Sequence, residues 1–198
     1  MNYYELPLAW VKLILDGLSP QTMKGDHHAA SLLFPMERVF EDYVAQSLGK
    51  ALKTTHRLKA QLQSKSLVTH NGSSWFKLKP DMVIEHSGKV VTVLDTKWKL
   101  LDSSKANGTD KYGLSQSDFY QMLAYGHHYF DTEIENPEMF LVYPSHSGFK
   151  QAIPHSFDFP IQSEKTLKLW VVPFVISEKD DEKGIQWPDE AQIPAEFY

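Results

Sequence analysis

The chain has 198 residues, 42% of them hydrophobic and 13% aromatic, enough for one ordinary folded domain with an appended helical piece. It has no cysteine, which excludes disulfide frameworks, thiol nucleophiles and cysteine-held zinc or iron–sulfur centres. The formal charge of −5 hides a division: Lys50 to Lys111 carries 12 basic and 5 acidic residues, and the remainder carries 8 and 20. A basic middle between acidic ends is either ordinary scatter of solvated lysines or the electrostatic footprint of a surface that meets a phosphate backbone.

Leu6, Trp10, Leu13, Ile14 and Leu18 recur at helical spacing, and Gly17 with Pro20 end the run, so a first helix is predicted over Glu5–Leu18. Thr22–Ser31 is polar and reads as a loop. A second helix begins near Pro35, with Met36, Val39, Phe40, Tyr43, Val44 and Leu48 on its apolar face. Glu37 and Glu41, four apart, stand on the margin of that face.

After a basic stretch containing Lys53, Arg57 and Lys59, the pattern becomes extended. Trp75–Glu85 and Lys89–Leu100 are predicted as two strands of a hairpin closed by Ser87-Gly88. Leu101–Ser115, polar and holding Asn107-Gly108, reads as a mobile loop. Ser115 and Asp118 resemble a capping box that opens a third helix through Phe119, Met122, Leu123 and Tyr129. Strands follow at Met139–Tyr143, around Gln151–Phe159 and at Thr166–Ile176, and residues 177–198 form an acidic tail. This order predicts an α/β sandwich around a mixed sheet. No apolar run approaches the roughly 20 residues of a membrane span, and no basic leader precedes an apolar stretch at the N-terminus. The expectation is a cytoplasmic protein with no membrane partner.

The residues that carry chemistry are Asp81, Asp95, Lys97, Gln121 and Tyr125. Strand alternation points Asp95 and Lys97 to one face and Thr96 to the other. A two-residue turn at Ser87-Gly88 pairs residue 81 with 94, within one residue of Asp95, so the two acids come close enough to share a cation. Oxygen donors without soft ligands suit a hard ion such as Mg²⁺. The plainer alternative is an exposed cross-strand cluster worth little in stability. Against it stands the apolar character of the Asp95 strand, where an unpaired charge is expensive. Gln121 and Tyr125 share a helix face with Asp118 close by, and either pack on the sheet or serve the same site. The adjacent histidines His27-His28 and His127-His128 diverge in any regular structure and present no metal pair.

Pro80-Asp81, Asp95-Thr96-Lys97 and Gln121-Met122-Leu123-Ala124-Tyr125 resemble the PD-(D/E)xK nuclease signature with its trailing Gln-x-x-x-Tyr motif. Leu32-Leu33-Phe34-Pro35-Met36 leading to Phe40-Glu41, Ser117-Asp118-Phe119-Tyr120-Gln121, and Leu141-Val142-Tyr143-Pro144 are similar to the nuclease part of the McrC family, the cutting subunit of McrBC-type modification-dependent restriction systems. The resemblance implies a restriction-endonuclease-like core over residues 32–176, with residues 1–31 a remnant of, or linker to, a motor-binding region. It also implies Mg²⁺-dependent hydrolysis of modified double-stranded DNA, with Mn²⁺ able to substitute, in partnership with a GTP-driven AAA+ motor of the McrB type. No Gly-x-x-x-x-Gly-Lys-Ser/Thr phosphate loop occurs in the sequence, so nucleotide hydrolysis falls to another chain.

On that resemblance Asp81 and Asp95 hold the metal, and Glu41, on the family's Phe-Glu helix, supplies a further carboxylate. Lys97 orients the attacking water or stabilises charge on the phosphate, Gln121 positions the nucleophile or the backbone, and Tyr125 braces its helix. Lys77, Lys79, Lys99, Lys105 and Lys111 are candidate contacts to the DNA backbone, carrying no sequence information. The alternatives are a nuclease of the same superfamily acting alone in repair or recombination, and a catalytically weak adaptor that stimulates the motor. Assembly into a homo-oligomer is left open.

Overall fold

A computed structural model describes residues 35–131, 134, 137–160, 166–177, 179 and 183–192. The predicted helix at Glu5–Leu18, the loop after it and His27-His28 lie outside the described residues. A seven-stranded mixed sheet forms the centre of the unit that begins at Met36. Its order is β1 (His56–Ala60), β4 (Met82–His86), β5 (Lys89–Thr96), β6 (Glu138–Pro144), β8 (Thr166–Val175) and β7 (Phe157–Pro160), with β9 (Gly184–Ile185) also on β8. β6 runs parallel to both β5 and β8, and the other pairings are antiparallel. β2 (Ser66–His70) and β3 (Ser73–Lys77) form a separate two-stranded sheet.

Alternation along the central strands feeds two apolar layers. Phe40, Val44 and Leu48, at i, i+4 and i+8 of helix α1 (Met36–Ala51), pack with Met82, Ile84, Leu94, Phe140, Val142 and Trp170. Met122, Tyr125 and Tyr129 of helix α2 (Gln116–Tyr129) pack with Val83, Val93, Met139, Leu141 and Val171 on the opposite face. The expected α/β architecture, a mixed central sheet flanked by helices, is therefore the one the chain adopts. Trp170 donates from Nε1 to buried Glu138 at 3.0 Å, which satisfies both polar groups inside the first layer.

Four local expectations are corrected. Met36 and Val39 are exposed, because one stripe along α1 suffices to cover the sheet. The predicted strand Trp75–Glu85 is two strands, β3 and β4, interrupted at Leu78–Asp81, where Pro80 can donate no ladder hydrogen bond. β1 and β2 fall in the stretch read only as basic; they are short and largely exposed, and so lack a legible apolar alternation. The Ser115–Asp118 capping box does not form: the Ser115 hydroxyl bonds to Ser117 Oγ at 2.7 Å, and the Asp118 carboxylate turns to Lys99 and Tyr143.

Leu101–Ser115 is stitched by backbone bonds from Asp102 N to Tyr112 O at 3.1 Å and from Ser103 N to Gly148 O at 3.0 Å, with Leu101 buried at its start, in place of the loose loop expected. Beyond Ser177, part of the expected tail returns to the sheet: β9 pairs with Phe174 and Val175, and the Trp187 ring meets Phe140 edge-on at 5.0 Å.

Helix α2 lies so close to the sheet that a Cβ on Gly126 would stand 2.6 Å from Leu167 Cδ1 and 3.0 Å from Met139 Sδ. Gly126→Val is expected to lower unfolding stability by about 1–3 kcal/mol through overpacking, measured as a fall in the urea midpoint at unchanged slope.

Candidate active site

The site sits where β5 ends and β4 begins. Register decides its geometry. The Ser87-Gly88 turn forms as predicted, with both residues at positive φ (50° and 80°), and pairs His86 with Lys89. Between Ile84 and Glu85, however, the ladder shifts: Glu85 pairs with Val90 but Ile84 pairs with Thr92, leaving an extra residue in β5. Met82 consequently pairs with Leu94, and the same register carried one step further sets Asp81 opposite Asp95, where an unbroken hairpin sets it opposite Leu94.

The two carboxylates occupy different environments. Asp95 is 1% exposed. Burial, the charge of Asp81 and that of Asp118 outweigh the help of Lys97 and push its carboxyl up to about 7. Asp81, at the mouth of the site, accepts through Oδ2 from the Thr96 backbone N and from Thr96 Oγ1, each at 2.7 Å. Lys97 Nζ donates to Asp95 Oδ2 and, at 3.0 Å, to Gln121 Oε1. Burial pulls the Lys97 ammonium down, but the charge and hydrogen bond of Asp95, with Asp118 and Asp81 behind them, hold it above its ordinary range.

From Lys97 the hydrogen bonds continue. Gln121 Nε2 donates to Tyr125 Oη at 2.7 Å, and the Tyr125 hydroxyl donates to the Lys79 carbonyl at 2.8 Å, two residues before Asp81. The helical i, i+4 pair thus ties the ammonium to the strand that carries the first acid. Burial, followed by the Asp95 charge, holds the Tyr125 hydroxyl far above its ordinary range, so it serves as a neutral donor.

Glu37, Glu41, Asp81, Thr96, Lys97, Trp98 and Lys99 line an open cleft of about 220 Å³. Glu41 reaches it from α1 and accepts from Gln61 Nε2 at 3.0 Å, while the Gln61 backbone N donates to the Asp81 carbonyl at 2.8 Å. Burial raises the Glu41 carboxyl, the Gln61 bond opposes the rise, and the charges of Asp81 and Asp42 add to it.

Sequence reasoning passed over three residues. Gln61 joins Glu41 to Asp81 from a left-handed backbone (φ 50°), and no motif marks it. Thr96 was read as facing away from the acids, yet it holds Asp81 with two bonds. Asp118, read as a cap, is buried and pairs with Lys99 Nζ at 3.1 Å. Of the five lysines proposed for phosphate contact, Lys99 lines the cleft, whereas Lys77, Lys79, Lys105 and Lys111 are exposed elsewhere, Lys105 with Asp102 at 4.0 Å.

A family model described as the McrBC 5-methylcytosine restriction system component matches residues 1–144, a stretch that includes every residue of the cleft. The chain belongs to this McrBC family. The match bears out the resemblance to the McrC family drawn from Leu32–Met36 leading to Phe40-Glu41, Ser117–Gln121 and Leu141–Pro144. Among solved structures the chain is similar to a chain of the refined half-complex from a tetradecameric assembly of Thermococcus gammatolerans McrB AAA+ hexamers with bound McrC. The identity is 15% and the TM-score 0.47, over 88% of this chain and 44% of that one, so the McrBC chain described here spans less than half that length. No curated protein matches. Among the described residues, no helix is long and apolar enough to cross a membrane.

Since the Asp95 carboxyl titrates well above the 3.8 of an unstructured aspartate, the folded state holds a proton there that the unfolded chain has released. Stability from this group is present below about pH 4 and lost as pH rises towards about 7. In metal-free buffer the urea midpoint of the wild-type chain is expected to fall between pH 4.5 and 7.5 more steeply than that of Asp95→Asn, which has no such proton to lose.

Proposed function

We propose that this chain is a metal-dependent DNA endonuclease subunit of an McrBC-type restriction system, cutting modified double-stranded DNA in partnership with a GTP-driven McrB-like motor. The observation that carries this reading is the juxtaposition of Asp81, Lys97 and Glu41 in the lining of one cleft, with buried Asp95 bonded to Lys97 directly behind it. The family membership supports the restriction role, and the basic stretch from Lys50 to Lys111 supports a polyanionic substrate.

Mg²⁺, or Mn²⁺ in its place, is the proposed cofactor, and the donor set fits it. Five carboxylates, those of Glu37, Glu41, Asp81, Asp95 and Asp118, stand in or behind the cleft against only two ammonium groups, Lys97 and Lys99. The excess is negative, and all the donors are hard oxygens. Among the described residues, no group of three acid, histidine or cysteine side chains is placed to hold a metal ion by itself, so on this reading waters and phosphate oxygens would complete the coordination. Asp81 and Asp95 would hold it, with Glu41 contributing a further carboxylate directly or through water; the described hydrogen bonds to the two aspartates engage Oδ2 alone. When bound, such a cation supplies Lewis acidity towards the scissile phosphate and makes a water more acidic.

The protein's own groups do the rest. Lys97, charged and fixed between Asp95 and Gln121, orients the attacking water or stabilises the charge that develops on the phosphate. Gln121 sets the ammonium's direction, and Tyr125 braces Gln121 against the Lys79 carbonyl. Lys99, held by Asp118 at the cleft rim, meets the DNA backbone.

Asp95→Asn and Lys97→Ala are each expected to lower Mg²⁺-dependent cleavage of a methylated plasmid at least 100-fold, in a reaction reconstituted with the motor and GTP, while leaving motor binding intact. Cutting at the wild-type rate by either variant removes the active-site assignment. Efficient cutting with no motor and no nucleotide transfers the chain to the stand-alone class of nuclease. Mg²⁺ or Mn²⁺ is also expected to raise the wild-type Tm at pH 7.5 by mass action, and to leave that of Asp95→Asn unmoved.

A further inference from the structure

The β2–β3 hairpin contributes nothing to the cleft, yet it places four large apolar side chains in solvent. Leu67 and Val68 on β2 are 42% and 46% exposed, and Trp75 and Phe76 on β3 are 49% and 67% exposed. Val68 pairs directly with Trp75, and the Trp75 ring lies 6.3 Å from that of Phe76. Phe76 has a φ of 57°, a backbone conformation that a bulky residue does not adopt without cost and that here accompanies the most exposed ring of the arm. Burial does not account for these residues, and a small soluble domain rarely leaves such a cluster uncovered without a use for it.

Charge indicates what covers it. From Lys50 to Pro80 the chain has seven lysines and arginines and not one aspartate or glutamate. Lys65, Lys77 and Lys79 are exposed at the root of the arm and form no ion pair among the described residues. The root is fixed: Leu78 N bonds to the Lys65 carbonyl at 3.0 Å, Leu78 is buried in the core, and the Tyr129 hydroxyl donates to the Leu62 and Leu78 carbonyls at 3.0 and 3.1 Å. From that root Lys79 and Pro80 lead directly to Asp81.

We propose that the β2–β3 hairpin is a DNA-binding arm, with Lys65, Lys77 and Lys79 on the phosphates of a duplex and with Trp75 and Phe76 against its bases. This rests on the reading of the cleft as a DNA-cutting site. Exposed aromatic side chains beside unpaired cations are the pairing that base stacking and wedge insertion require. A second copy of the arm is a poor occupant, since two acid-free, lysine-bearing surfaces repel each other.

The test is the affinity of the full chain for a fluorescein-labelled 30-base-pair duplex, by anisotropy in EDTA so that binding is read without cutting. Trp75→Ser/Phe76→Ser is expected to weaken binding at least tenfold, and Trp75→Tyr/Phe76→Tyr to retain it within twofold. Phe76→Gly removes the ring while relieving the left-handed backbone, so its expected loss of affinity comes with an undiminished Tm. Lys65→Gln/Lys77→Gln should reduce the slope of log affinity against log salt by about 1.8.

Wild-type affinity in the serine double variant, no duplex binding by the wild-type chain at low salt, or a change only in self-association overturns the proposal, the last by giving the face to a second copy. The two readings fail separately. A hairpin variant that binds normally while Lys97→Ala cannot cut sinks the arm alone; Lys97→Ala cutting normally while the hairpin variant loses the duplex sinks the catalytic assignment alone.

Discussion

Every feature of the cleft depends on one buried carboxylate. Asp95 lies almost wholly out of water in the strand between β4 and β6, opposite another acid, in a position where an uncompensated charge is very costly. The surrounding groups answer that cost. Lys97 contributes a full charge from two residues along the same strand, Gln121 fixes Lys97, and Tyr125 anchors Gln121 to the strand leading into Asp81. Thr96 holds Asp81 with two donors, its backbone N and its hydroxyl, which fixes the second carboxylate beside the first.

The sheet makes this arrangement rigid. Above and below Asp95, alternate residues feed two separate apolar layers, one covered by α1 and the other by α2. Each helix therefore brings functional groups to the cleft as a consequence of packing: α1 buries Phe40 and Val44 and so delivers Glu41, while α2 buries Met122 and Tyr125 and so delivers Gln121 and Asp118. The Phe40 ring also meets Trp98, just past the strand that carries Asp95, at 5.3 Å, so the core and the cleft share a wall. Polar groups carried on such elements are held with less freedom than on a loop.

Much of this was legible in the sequence because it follows from short-range rules. Ser87-Gly88 announces a two-residue turn, strand alternation puts Asp95 and Lys97 on one face, helical spacing aligns Gln121 with Tyr125, and the i, i+4, i+8 stripe of α1 marks its buried side. What stayed hidden has a common physical cause. Gln61 reaches both Glu41 and Asp81 although it lies 20 residues from each, and its role comes from a positive φ that propensity does not encode. Asp118 has the spacing of a cap but finds a stronger partner in Lys99, since a charged pair outcompetes a neutral backbone donor. β1 and β2 are too short and too exposed to write a periodic pattern.

Residue chemistry and local period were sufficient to supply the acids, the lysine, the hairpin and the α/β order, because each depends on neighbours within a few positions along the chain. The register that sets Asp81 opposite Asp95 was not available from that information. It arises from one extra residue in β5, Val91, between the partners of Glu85 and Ile84, and a bulge is selected by how both faces of the sheet pack against α1 and α2, contacts made by residues far apart in the chain.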